Sequence, residues 1–289
     1  MEIAKNYLKK INIVKQCPTN LLFRQAGVSY GKIIRDKYHS KTINDIKPLS
    51  IILPDDYKEN KTYPILYLLH PLISNEETLL EDGYNADNIL FNLIHQKKAE
   101  KMILALPNQY TPVDGKYFTP AFDQKHYDGY DNFIKDLVND VMPYIEKNYP
   151  VAKGRNNTAI SGFSMGGRNA LYIGYSRPDL FGYVGAFSPA AGVIPGRDIY
   201  NNLKGLFKES EFRVKDEKLT PKVSLISGGT NDFIVGDTPE KYHKTLEANK
   251  QPHVWYQVPG ADHDCDAFTS GYYNFVTSIF DILNKKKDN

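Results

Sequence analysis

The stretch Gly162-Phe163-Ser164-Met165-Gly166-Gly167 restricts what this chain can fold into more than any other. A serine at the centre of Gly-x-Ser-x-Gly sits on a turn so tight that its flanking residues must be nearly free of side chain, and Gly162 and Gly166 meet that demand. A short apolar run from Thr158 leads into the turn, and a helix-forming run to Leu171 leaves it. Strand, turn and helix in that order push Ser164 out at the end of a sheet. They also aim the N-terminus of the helix, with the free Met165 N–H, at the same point, where it can stabilise an oxyanion. Ser164 is therefore the expected nucleophile.

The rest of the chain supplies the sheet such a turn needs. Val28 to Arg35 and Leu49 to Leu53 are β-like runs before the turn signal Pro54-Asp55-Asp56, and are expected as antiparallel edge strands. Tyr63 to Leu69 and Lys101 to Leu106 are short and continuously apolar, as strands buried on both faces are. The runs around Ala159-Ile160, Tyr183 to Phe187, Lys222 to Ile226 and Val254 to Val258 follow. Helical periodicity appears over Asp87 to Gln96, Asp131 to Asn148 with a kink expected at Pro143, Asp198 to Lys208, Pro239 to Asn249 and Phe268 to Leu283. Such alternation predicts an α/β fold with a mainly parallel central sheet and helices on both faces. Ligands of such folds bind at the carboxyl ends of the strands. Residues 1–27 show no clean period and are set apart as a lead-in to a single domain over 28–289. Between Gln109 and Gly129 an insertion rich in aromatic residues (Tyr110, Tyr117, Phe118, Phe122, His126, Tyr127) is expected as a lid or binding loop, with a simple surface excursion as the alternative.

Composition narrows the functional classes. With 36 basic and 34 acidic residues the net charge is +2, too small a field to hold nucleic acid or an anionic membrane. Lys285 to Lys287 reads as a solvated tail. No apolar run approaches a membrane span, and Met1 to Asn6 lacks the apolar core of a signal peptide. Cys17 and Cys265 fit no metal-ligand spacing, and sequence leaves both their pairing and the compartment open.

A serine hydroxyl needs an imidazole to accept its proton, and the imidazole needs a carboxylate to fix its tautomer and stabilise its cation. Of the histidines after Ser164, His243 falls mid-helix and His253 at the start of a strand, the wrong end of the sheet. His263 falls in the loop after the last strand. Asp232 follows the preceding strand, which makes it the expected acid and Asp237 the runner-up; Asp262 and Asp264 flank the histidine and are expected to point away. The order Ser164, Asp232, His263 is the α/β-hydrolase order. A second oxyanion donor belongs in the loop after the strand ending at His70. Pro71 has no N–H to give, so Leu72 or Ile73 is expected in that role, with His70 structural.

Tyr63 to His70, Gly162 to Gly167, Phe181 to Ser188, Gly228 to Asp232 and Gly260 to Asp264 together resemble the esterase D-like α/β hydrolases, and within them carbohydrate esterase family one. The resemblance runs from about Tyr30 to Phe280. It implies an α/β-hydrolase fold and a serine esterase with an acyl-enzyme intermediate and no metal or organic cofactor. The implied substrate is feruloylated or acetylated xylan or its oligosaccharides, met outside the cell. An apolar acyl pocket would draw on Leu72, Ile73, Phe122 and Tyr127. Acetyl xylan esterase and an intracellular S-formylglutathione hydrolase type are the alternatives, and an acyl-transfer or binding protein on the same fold is the rival of another class. Two positions depart from the family: Pro71 where glycine is usual, at the oxyanion loop, and Cys265 where tryptophan is frequent, near the acyl pocket.

Overall fold

A computed structural model describes residues 1–114, 123–199 and 201–285. In chain order the strands are β1 (Ile33–Ser40), β2 (Asp45–Ile52), β3 (Ile65–Leu69), β4 (Ile103–Pro107), β5 (Thr158–Phe163), β6 (Tyr183–Phe187), β7 (Gly196–Arg197), β8 (Asn202–Leu203), β9 (Val223–Gly229) and β10 (Val254–Val258). The helices are α1 (Glu2–Leu8), α2 (Ala86–His95), α3 (Gln124–Asp131), α4 (Phe133–Asp136), α5 (Met142–Asn148), α6 (Met165–Ser176), α7 (Thr238–Ala248), α8 (Cys265–Val276) and α9 (Ile282–Lys285). The central sheet has the order β1-β2-β4-β3-β5-β6-β9-β10. Pairing is antiparallel at β1–β2 and β2–β4 and parallel from there on.

Alternation along the buried strands divides the core into two layers. On β3, Leu66 and Leu68 face one layer, and Ile65, Tyr67 and Leu69 the other. The first layer is closed by α2 and α8 through Ile89, Leu93, Phe268, Tyr272 and Phe275; the second by the helices carrying Phe133, Ile145, Leu171 and Tyr242. The first 27 residues are stitched along the first layer. Tyr7 is buried there and its hydroxyl donates to Ser278 O, while Val14 N–H donates to Asn274 Oδ1 and Asn92 Nδ2 donates to the carbonyls of Leu21 and Phe23.

Several local expectations are corrected. No described residue of Asp198 to Lys208 is helical: β8 pairs antiparallel with β7 and an irregular return follows. Gly205 has φ of +80°, and a Cβ there would lie 2.4 Å from Pro195 N, so the chain turns inside the stretch expected to be helical. The expected single helix over Asp131 to Asn148 starts earlier, as α3, and restarts as α4. It then widens into a π turn over Leu137–Val141 just before Pro143, which lacks the N–H to bond the carbonyl four residues back. The last helix begins at Cys265, capped by the Asp264 carboxylate accepting from Ala267 N–H, and ends at Val276; Phe280 and Asp281 have φ of 54° and 64° before α9 resumes. The edge strand β1 lies further along than Val28 to Arg35, with its outward residues exposed. Cys17 and Cys265 are free thiols.

Candidate active site

Ser164 sits between β5 and α6 with φ of 55° and ψ of −117°, a conformation that non-glycine residues reach only under constraint. The constraint is visible. Ser164 N–H donates to Phe187 O at 2.9 Å, and its carbonyl accepts from Arg168 N–H at 2.9 Å and Ala190 N–H at 3.0 Å. A Cβ on Gly162 would lie 2.4 Å from Gly166 C, and one on Gly166 would lie 2.1 Å from Leu69 O. Both contacts are with backbone, so no side-chain adjustment relieves them. The glycine requirement read from the sequence thus has two separate steric causes, one within the turn and one against β3.

His263 Nε2 is 2.8 Å from Ser164 Oγ, and His263 Nδ1 is 2.9 Å from Asp232 Oδ2. An ionised carboxylate accepts only, so Nδ1 carries the proton and Nε2 is left to accept from the serine. The imidazole stacks on the Phe163 ring with centroids 4.8 Å apart at 25°, which fixes its plane. Asp232 is buried at the end of β9. Burial pushes its carboxyl up, but the hydrogen bond and charge of His263 and the Val235 N–H hold it below the usual aspartate value. Ile234 and Val235 N–H each donate to Asp232 Oδ1 at 3.1 Å, so one oxygen is anchored to its own loop while the other faces the imidazole. Asp237 stands at the start of α7, Asp262 accepts from His263 N–H, and Asp264 caps α8. His243 and His253 bond each other at 2.7 Å, away from the serine.

After β3, Ile73 N–H donates to the Tyr130 hydroxyl at 3.0 Å. The Leu72 N–H bonds no group among the described residues, and Met165, as the first residue of α6, has no intrahelical acceptor for its own. His70 is buried and structural: Nδ1 bonds Pro71 O at 2.7 Å and Nε2 accepts from Gln109 N–H at 3.0 Å. Burial, with the Lys47 ammonium nearby, pushes its pKa down to about 4. This neutral ring ties the oxyanion loop to the start of the aromatic insertion.

A cavity of about 330 Å³ opens beside Ser164 and His263. Leu72, Ile73 and Tyr127 line it; Phe122 lies outside the described residues. Of the other insertion aromatics, Tyr110 and His126 turn inward and pack with Tyr130, with centroids 4.7 to 5.3 Å apart, while Tyr117 and Phe118 lie outside the described residues. Sequence reasoning missed Tyr84, Asp198, Ile199, Ile234 and Val235, all in the cavity wall. Ile234 and Val235 follow Asp232 in one loop and could have been found from that alone. Ile199 and Asp198 were hidden in the segment misread as helix. Asp198 Oδ2 accepts from the Tyr127 hydroxyl at 2.6 Å, a polar feature in a mostly apolar wall.

The putative esterase family model matches residues 40–283. The chain belongs to the esterase family. Among solved structures this esterase is similar to a CE1 ferulic acid esterase from Anaeromyces mucronatus, seen in complex with ferulic acid. The two are 46% identical with a TM-score of 0.91, over 94% of this chain and 99% of that one. An S-formylglutathione hydrolase from Staphylococcus aureus shares the fold at 20% identity and a TM-score of 0.60, covering 88% of this esterase and 98% of that chain. An endo-1,4-beta-xylanase/feruloyl esterase from Xylanibacter ruminicola is 29% identical over 77% of this esterase and 27% of its own length. Endo-1,4-beta-xylanase Y from Acetivibrio thermocellus is 29% identical over 56% of this esterase and 14% of its own length. The chain thus spans well under a third of either curated relative.

Proposed function

We propose that this esterase hydrolyses hydroxycinnamoyl esters of plant cell-wall polysaccharide, feruloyl esters first among them, through an acyl-enzyme on Ser164. The observation that carries the reading is the unbroken series Ser164 Oγ, His263, Asp232 opening into a narrow apolar cavity. Ser164 Oγ attacks the ester carbonyl carbon while its proton passes to His263 Nε2. The resulting oxyanion is met by the N–H groups of Met165 and Leu72. As the C–O bond to the alcohol breaks, His263 Nε2–H protonates the departing oxygen, leaving the acyl group on Ser164. Water then attacks that carbonyl, giving a proton to His263. Collapse returns the proton to Ser164 Oγ and frees the carboxylic acid. Asp232 stays ionised throughout and stabilises the imidazolium.

The substrate part of the proposal rests on size and surface. A cavity of about 330 Å³ walled by Leu72, Ile73, Tyr84, Phe163 and Ile199 suits a flat aromatic acyl group and is at the small end for ligand pockets. The Anaeromyces mucronatus relative, named for ferulic acid, supports the same class. A polysaccharide substrate of this kind is met outside the cell, and the reading carries that location with it. Initial rates on methyl ferulate, methyl sinapate, acetylated xylan and p-nitrophenyl acetate test it. Expected is a kcat/KM highest for the two hydroxycinnamates; preference for acetylated xylan would overturn the acyl assignment.

A further inference from the structure

Beyond the cavity wall at Tyr127 lies a second, separate cavity of about 310 Å³, and Tyr127 lines both. Its chemistry is different. Where the ester cleft is apolar, this one is bounded by Gln124, Asp131, Arg168 and Lys204. Arg168 is 3% exposed and pairs through Nη1 with Asp131 Oδ1 at 2.5 Å, yet its buried Nε has no hydrogen-bond partner among the described residues. A guanidinium N–H left unpartnered at such burial costs stability unless something fills the place. Gly192, also in the wall, has φ of +108°, and a Cβ there would stand 2.9 Å from that Nε. Only bare glycine backbone therefore packs against that edge of the guanidinium. Lys204 is exposed and has no ion-pair partner among the described residues, so among the described wall residues two cations, Arg168 and Lys204, face one carboxylate, Asp131.

From these features we infer that this cavity is a subsite for a sugar carboxylate, a uronosyl residue on the alcohol side of the ester. Arg168 and Lys204 meet the carboxylate, Gln124 and Asp131 meet ring hydroxyls, and the Tyr127 ring separates sugar from acyl group. A guanidinium edge plus an ammonium recognises a carboxylate better than a neutral hydroxyl. The volume is that of a small-ligand pocket. The alcohol-side role rests on the ester-hydrolase reading above, whereas the binding of uronate does not.

The test is calorimetric or saturation-transfer NMR titration of the full chain with D-glucuronate, D-glucose and acetate. Glucuronate is expected to bind with a Kd on the order of 1 mM, at least about fivefold tighter than either glucose or acetate. Lys204→Glu should weaken glucuronate at least about fivefold and leave glucose unchanged. Arg168→Lys keeps a cation for Asp131 but removes Nε, and should weaken glucuronate similarly if its melting curve shows it folded; if it does not fold, Lys204→Glu alone decides. Glucuronate no better than glucose, acetate as good as glucuronate, or no response to Lys204→Glu would each overturn the subsite. Turnover of methyl ferulate, which has no sugar, is measured on the wild type alongside. Its absence would sink the hydroxycinnamoyl reading while the uronate titration still judged the cavity.

Discussion

On the sheet side of the cleft, Ser164, His263 and Asp232 stand at the ends of strands and are each held by several fixed contacts. Ser164 has three backbone hydrogen bonds, His263 an aromatic face, and Asp232 two loop amides. On the loop side, Leu72, Ile73 and Ile199 come from connections, and Ile73 and Ile199 are 47% and 48% exposed. One wall is over-determined and the other is held by few contacts. On the proposed reading the first wall carries the chemistry and the second the choice of substrate, which predicts that substitutions on the two walls act on different kinetic constants.

The largest effect belongs to the over-determined wall. Ser164→Ala should lower kcat by on the order of ten thousand or more with an unchanged melting temperature, because the hydroxyl lies in the cleft and carries the covalent step. A variant retaining near wild-type kcat would remove the nucleophile assignment. Asp232→Asn follows, with a loss approaching about ten thousand in kcat, since an amide at that position no longer stabilises the imidazolium or fixes the tautomer. Asp237→Asn, outside the hydrogen-bonded series, should change kcat little. The opposite ranking would break the comparison at its root.

Between the two walls stands His70, which bonds both the Pro71 loop and Gln109, and its titration should be visible in stability. Its folded pKa of about 4 lies below the usual histidine value of 6.5. As pH falls below 6.5 the unfolded chain protonates this ring while the folded protein does not. The unfolded state then binds more protons, so the contribution from His70 is fully present above 6.5 and is lost as pH falls toward 4. The shift corresponds to roughly 3 kcal/mol across that window. Urea midpoints measured through the window should show His70→Gln less stable than wild type near neutrality and with a shallower loss on acidification. Parallel curves for the two proteins would mean that the ring is not neutral in the fold.

The same contrast explains what could be read from residues alone. The elbow and the hydrogen-bonded series Ser164, His263, Asp232 were legible because their residue types are forced by sterics and chemistry: only glycine fits opposite Leu69 O, and only a histidine following the last strand reaches the serine. The buried strands were legible because continuous apolar runs admit few other uses. The loop wall was not. The stretch expected to be helical makes an irregular return after β8, and only the left-handed glycine at position 205 betrays it. Of the aromatic insertion Tyr127 lines the cavity, but which of the described rings turn inward depends on packing of Tyr110, His126 and Tyr130 that no local pattern encodes. Tyr84 and Ile199 join the cleft from distant loops for the same reason.

The smallest effect, and the one that sharpens the contrast most, is expected at Ile199. Its side chain is half exposed in the free protein and borders the cavity opposite the sheet wall. An aromatic acyl group covering it would remove apolar surface from water, worth about 25 cal/mol per Å². Truncation to alanine deletes three carbons of that contact, so a loss of about 1 kcal/mol or less is expected, a few-fold change in affinity. Because the contact is equally present before and during acyl transfer, the loss should appear in KM and leave kcat unchanged. Ile199→Ala should therefore raise KM for methyl ferulate a few-fold. For p-nitrophenyl acetate, whose acetyl group is too small to span the cavity, KM should stay within error. Equal increases for both substrates would place Ile199 in support of the β7–β8 loop and not against the acyl group, and a fall in kcat would show the loop wall reaching the chemistry after all.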